Sequence, residues 1–187
     1  MAEHACPVWV GYLLASPLRK FAHPPEKIVG PYVREGMTVL DVGCAMGFFS
    51  LPLAKLVGPA GRLICVDMQA KMLQVLDRRA RNAGLMDRID LRKCAPGSLG
   101  LEDLSARIDF ALAFAVVHEV SDRAAFFAEI GAALKPGAKL LIAEPRGHVG
   151  ESNFERTIAA ASGSSLAVIG SPRIRRSRAA LLERRVE

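Results

Sequence analysis

The sequence predicts an α/β fold: a mostly parallel sheet of seven strands with helices packed on both faces. Three observations predict it. From Thr38 onward short apolar runs alternate with amphipathic segments, as in repeated strand–helix units. The runs are apolar almost throughout, which suits strands buried on both faces. The last two runs are joined by too short a link for a parallel crossover, which takes about a dozen residues, so they are expected to pair antiparallel.

In chain order, residues 26–33 are read as a short helix feeding the first strand at 38–42. A tight turn follows, and a helix is expected to start near Phe48. The second strand is 62–67, followed by a helix over 69–83 whose apolar positions Met72, Leu76, Ala80 and Ala83 recur at spacings of three and four, with Gly84 as the stop. Strands at 89–93 and 109–114 come next. A helix over 122–134 carries Phe126, Ile130, Ala133 and Leu134 on one face, has Ser121 or Asp122 as N-cap, and is ended by Pro136-Gly137. The fifth strand is 139–144, and a helix at 151–161 leads into the antiparallel pair 165–170 and 177–183. Residues 36–187 are expected to form one domain, preceded by a helical segment over 1–35 that Pro24-Pro25 interrupts.

The 187 residues, 51% hydrophobic, suffice for one sizeable core. No apolar run reaches the roughly 18 residues of a bilayer span, and Val8 to Ala15 follows Glu3 without any Lys or Arg, unlike a secretory leader. A cytoplasmic location is the expectation, with the chain a monomer or homodimer. Cys6, Cys44, Cys65 and Cys94 include no C-x-x-C pair, so neither a disulfide framework nor a metal site is indicated. Much of the net charge of +6 lies near the C-terminus, where Arg173, Arg175, Arg176, Arg178, Arg184 and Arg185 against Glu183 and Glu187 give 6 − 2 = +4. An RNA-facing patch is one reading. A solvated edge strand, protected by charge from pairing with other chains, is preferred, so nucleic acid is not expected as a partner.

Chemistry concentrates at the carboxyl ends of the strands, where ligands of open parallel sheets bind. Val39-Leu40-Asp41-Val42-Gly43-Cys44-Ala45-Met46-Gly47 runs from an apolar strand through a carboxylate into a glycine-rich turn. Glycine there permits a tight bend and close approach of a ligand to the backbone. Asp67 ends the second strand twenty residues after Gly47, and its two oxygens can accept both hydroxyls of a ribose. Asp41 before the glycines would oppose a pyrophosphate and favour a cationic amine, which argues against a dinucleotide oxidoreductase. That enzyme class, together with a non-catalytic cofactor-binding or RNA-associated subunit, remains as the alternative.

These motifs resemble those of the class I S-adenosylmethionine-dependent methyltransferases, from about residue 36 to the end of the chain. Leu63-Ile64-Cys65-Val66-Asp67 is similar to the family's second motif. Leu134-Lys135-Pro136-Gly137-Ala138-Lys139-Leu140-Leu141-Ile142-Ala143-Glu144-Pro145 resembles the entry into its fifth strand, and the terminal pair resembles its reversed hairpin. The resemblance implies a three-layer Rossmann-like methyltransferase fold with S-adenosyl-L-methionine as cofactor. It implies that Asp41, Gly43, Cys44 and Gly47 surround the methionine part, that Asp67 takes the ribose, that Met68 and Cys94 lie at the adenine, and that Phe114 lies near the methionyl amine. Ala45 and Cys94 depart from the commoner glycine and acidic residue.

His118 after the fourth strand is the candidate general base, since imidazole titrates near neutrality. Glu144 is the second catalytic candidate, with Glu119 and His148 behind it. Phe114-Ala115-Val116-Val117-His118-Glu119 lacks the Asn/Asp-Pro-Pro-aromatic motif of exocyclic-amine methylation, and it looks like the small-molecule branch that includes quinone-biosynthesis methyltransferases. A small-molecule acceptor is expected. Trp9, Tyr12 and Phe21 are read either as an apolar lid over its pocket or as packing onto the domain.

Overall fold

The computed structural model describes residues 23–186. The readings made for Cys6, Trp9, Tyr12 and Phe21 therefore lie outside the described residues. The elements are α1 (Pro25–Val29), β1 (Thr38–Val42), α2 (Ser50–Leu56), β2 (Arg62–Asp67), α3 (Ala70–Asn82), β3 (Ile89–Lys93), β4 (Ile108–Phe114), α4 (Arg123–Ala133), β5 (Leu134–Pro145), α5 (Glu151–Ser162), β6 (Leu166–Gly170) and β7 (Ser177–Arg184). The strands form one sheet in the order β3-β2-β1-β4-β5-β7-β6. The first five are parallel, and β7 runs antiparallel to both β5 and β6. Strand order reverses between β1 and β4, which makes their carboxyl ends the place for a ligand.

Both faces of the sheet are buried, as the continuous apolar runs require. Leu40, Val42, Ile64 and Val66 pack with Phe126, Phe127 and Ile130 of α4 and Ala161 of α5. Val39, Leu63 and Cys65 point to the other face, against Val29 of α1, Leu53 and Ala54 of α2, and Leu73, Leu76 and Ala80 of α3. Alternation along each strand sends neighbours to opposite layers. In α3 the predicted stripe holds for Met72, Leu76 and Ala80, while Ala83 is the exposed C-cap before Gly84 at φ +63°. Asp122 is the N-cap of α4, accepting from the Ala125 amide at 3.0 Å.

Three local expectations are corrected. Helix α4 ends at Ala133, and Pro136-Gly137 lie inside β5, which begins at Leu134 paired with Ile108. The register shift between Ile108 and Phe110 and the positive φ of Gly137 let the strand absorb this extra stretch. Helix α2 starts at Ser50, two residues beyond Phe48, because Gly47 and the residues after it form turns. The arginine-bearing run 177–184 is an interior strand, and β6 is the edge. Arg178 and Arg184 of β7 are not there to protect an edge: Arg178 donates to the Val149 carbonyl at 3.2 Å and Arg184 to those of Ala132 and Leu134.

Among the described residues no helix is long and apolar enough to cross a membrane, and no cluster of three metal-ligating side chains occurs.

Candidate active site

The turn after β1 is held from above and below. Gly43 and Gly47 have φ of +70° and +84°, in the left-handed region that L-residues avoid. A Cβ at Gly43 would stand 2.5 Å from Cγ2 of Val116, and one at Gly47 would run into Leu76. Ala45, which stands where glycine is commoner, also adopts positive φ, at +46°. Its amide donates to Asp67 Oδ2 at 2.9 Å, and the Gln69 amide donates to Oδ1 at 2.8 Å. Asp67 thus clamps the turn to the end of β2. Burial raises its pKa against the pull of those two amides.

Asp41 lies beneath the turn, 3% exposed, and accepts from the Ser50 hydroxyl at 2.6 Å. Burial pushes its pKa up to about 7; the Ser50 bond opposes this and the charge of Asp67 adds to it. The buried carboxyl therefore holds its proton more tightly than an exposed aspartate, and an approaching cation favours the ionised form. The thiol of Cys44 is turned into the core beside Cys65, and burial, then Cys65, pushes it well above the usual thiol range. Cys44 offers a ligand only its backbone. Cys94 follows β3, its amide on the Asp67 carbonyl at 3.1 Å, with a half-buried thiol whose pKa is raised by burial and by Asp67. Met68, 45% exposed, stands next to Asp67 on the open side.

The second half of the site comes from β4 and β5. Phe114 ends β4, against Phe49 at 4.5 Å between ring centroids and edge-on to His23 at 5.2 Å. Ala115 then takes φ +58°, turning the chain so that Val117 and His118 face the end of β5. Glu144, fully buried there, accepts from the Val117 amide at 2.8 Å through Oε1 and holds His118 Nδ1 at 2.5 Å through Oε2. That bond raises the His118 pKa, with burial opposing. His118 Nε2 is 4.0 Å from Glu119 Oε1, and the His148 ring lies parallel to the His118 ring at 6.3 Å.

The structure thus brings Asp41, Gly43, Gly47, Asp67, Met68 and Cys94 to one end of the sheet, and Phe114, His118 and Glu144 to the neighbouring strand ends. Sequence reasoning missed Ser50, which holds Asp41; Val116, which fills the space under Gly43; and Glu129 of α4, which accepts from the amides of Leu99 at 2.9 Å and Gly100 at 3.2 Å and fixes the loop after Cys94. None sits in a local motif. Only the carboxylate of Glu129, on a helix that is apolar apart from it and Arg123 at its start, was a visible signal.

A family described as a methyltransferase domain matches residues 33–170. The chain belongs to the class I S-adenosylmethionine-dependent methyltransferase family. It is 33% identical over 139 residues to a ubiquinone biosynthesis O-methyltransferase of Methylocella silvestris, covering 73% of this chain and 52% of that protein. It is 31% identical over 112 residues to a ubiquinone/menaquinone biosynthesis C-methyltransferase of Hahella chejuensis, covering 60% of this chain and 44% of that one. The chain thus spans about half the length of these curated relatives. In fold it is similar to a SAM-dependent methyltransferase from Aquifex aeolicus, with TM-score 0.86, 23% identity, and coverage of 96% of this chain and 100% of that chain. Family membership sets aside the oxidoreductase alternative.

The residues present fit the family's cofactor. Each oxygen of Asp67 holds one amide and keeps a lone pair, so the carboxylate can still take two hydroxyls. The left-handed glycines let the turn close onto Val116 and Leu76, where no Cβ would fit, and so fix the backbone of the turn beside Asp67.

Proposed function

We propose that this chain transfers a methyl group from S-adenosylmethionine to a small-molecule acceptor whose reacting atom carries a proton. The observation that supports it most is Asp67, a desolvated carboxylate that holds the glycine turn and retains acceptor capacity for a diol. When bound, S-adenosylmethionine supplies a methyl group already activated by its sulfonium. The protein's tasks are then to position and to take a proton. The backbone of 43–47 would lie against the methionine part, and Asp41 below it would ionise as the cationic amine approaches. Met68 and the loop at Cys94 would flank the adenine, and Phe114 would border the amine.

His118 is proposed as the base. A carboxylate only accepts, so neutral His118 keeps its proton on Nδ1 for Glu144 and leaves the Nε2 lone pair for the acceptor. Glu144 then stabilises the imidazolium that forms. The relatives' names include both an O- and a C-methyltransferase; a base with this tautomer favours a hydroxyl-type acceptor.

Isotope-labelled methyl transfer to cell extract, separated into metabolites, RNA and protein, tests the reading. Label in the metabolite fraction is expected, and loss of most of it in His118→Ala. Label in RNA alone would overturn the small-molecule reading. Cofactor binding with no transfer to any fraction would favour a non-catalytic subunit.

A further inference from the structure

A groove of about 460 Å³ runs between α1 and the β6–β7 connection, within the roughly 300–1,000 Å³ of small-molecule sites. Its walls mix Ile28, Tyr32 and Ile174 with Lys27, Arg173 and Arg175, and among the described residues no carboxylate lines it. The three cations are exposed, and none has a carboxylate partner among the described residues. Cations around an apolar floor suit a molecule with an apolar body and an anionic end.

One end of the groove is linked to Phe114 through His23. Pro24 lines it, and the preceding His23 bonds the Arg175 carbonyl through Nε2 at 2.8 Å while its ring stands on Phe114 at the end of β4. We propose that this groove binds the anionic end of the methyl acceptor, a small apolar molecule bearing a carboxylate or phosphate; this rests on the methyl-transfer reading. RNA fits the groove less well. Single strands want stacking platforms beside their phosphates, and the one aromatic ring lining the groove among the described residues, Tyr32, has a face stacked on Phe110 at 5.5 Å and 11°. Of the remaining C-terminal arginines, Arg178 and Arg184 donate to backbone carbonyls, and the exposed Arg176 and Arg185 do not line the groove.

The test is binding of octanoate, octyl phosphate and octanol, each below its aggregation limit, with S-adenosylhomocysteine titrated in parallel. Both anions should bind at least about tenfold more tightly than octanol, as charge-assisted hydrogen bonds predict, and the preference should shrink with added salt. The relative strength of the two anions distinguishes a carboxylate from a phosphate end. Lys27→Gln, Arg173→Gln and Arg175→Gln together, all at exposed positions, should abolish the preference and leave S-adenosylhomocysteine affinity unchanged. Equal binding of octanol, or a preference that survives the triple substitution, would overturn the proposal. So would an RNA oligonucleotide that binds more tightly than octyl phosphate and is lost in the triple variant. Failure of wild type to bind S-adenosylhomocysteine would defeat the methyl-transfer reading instead, whatever the anions do.

Discussion

The site has two halves built by different means. Around β1, β2 and β3 the groups proposed to hold the cofactor are set by backbone conformation: positive φ at Gly43, Ala45 and Gly47, and amides of Ala45 and Gln69 fixed on Asp67. Around β4 and β5 they are set by side chains distant in sequence, with Glu144 reaching 26 residues back to His118 and His23 reaching forward to Arg175. A donor site shared across a family can be written in local backbone geometry. An acceptor site that varies with substrate is built from replaceable side chains on loops over a rigid scaffold.

If the first half depends on backbone, the largest effect should come from a single methyl group. Gly43→Ala adds left-handed strain of about 1–2 kcal/mol and a clash with Val116 of about 1–3 kcal/mol, so a loss of about 2–5 kcal/mol is expected in urea unfolding. Adding Val116→Ala should relieve only part of the clash, because the Val116 Cβ itself would stand 2.7 Å from the added methyl, and none of the strain; complete recovery would show that φ matters little there. Asp67→Ala comes next, weakening cofactor binding by about 1–3 kcal/mol through lost charged hydrogen bonds.

The second half should answer to charge. Because Glu144 raises the His118 pKa, stability linked to His118 is complete below the ordinary histidine pKa and is lost as pH rises through the raised value. Turnover should therefore rise with pH through a point above 6.5. Glu144→Gln should move the His118 titration downward in NMR, and the acid limb of the rate profile with it. An unmoved titration would break the pairing.

Asp41 joins the two kinds of effect. Its pKa is raised from 3.8 to about 7, so the folded chain holds that proton more tightly than the unfolded one. The stability linked to it is complete below about pH 4 and is lost as pH rises to about 7. Asp41→Asn should flatten that dependence in denaturant titrations, and a retained slope would assign it elsewhere. The smallest effect is Met68→Ala, which should cost about 1 kcal/mol of cofactor affinity through lost apolar contact and leave stability unchanged.

The same division decides what the sequence disclosed. Strands β1 and β2 carry apolar runs and β3 an apolar–polar alternation, each bounded by its own punctuation, and their bounds and the glycine turn could be read directly. Pro136-Gly137 misled, because a proline and glycine that end a helix in isolation can also sit in the exposed start of a long, shifted strand. The arginines of β7 suggested an edge because alternation shows which face a residue takes, not which strands lie on either side. The partners Ser50 of Asp41 and Glu144 of His118 depend on how crossovers return the chain, which no local pattern states. Candidates could be named on the acceptor side, but not joined.

The most direct measurement is calorimetric titration of S-adenosylhomocysteine into the wild-type chain and Asp67→Ala, with NAD as the control. Binding by wild type, about tenfold or more weaker in the variant and absent for NAD, is the expected result, as loss of hydrogen bonds to a charged group predicts. No binding of S-adenosylhomocysteine, or equal binding by both proteins, would contradict a donor site built on Asp67 and the glycine turn.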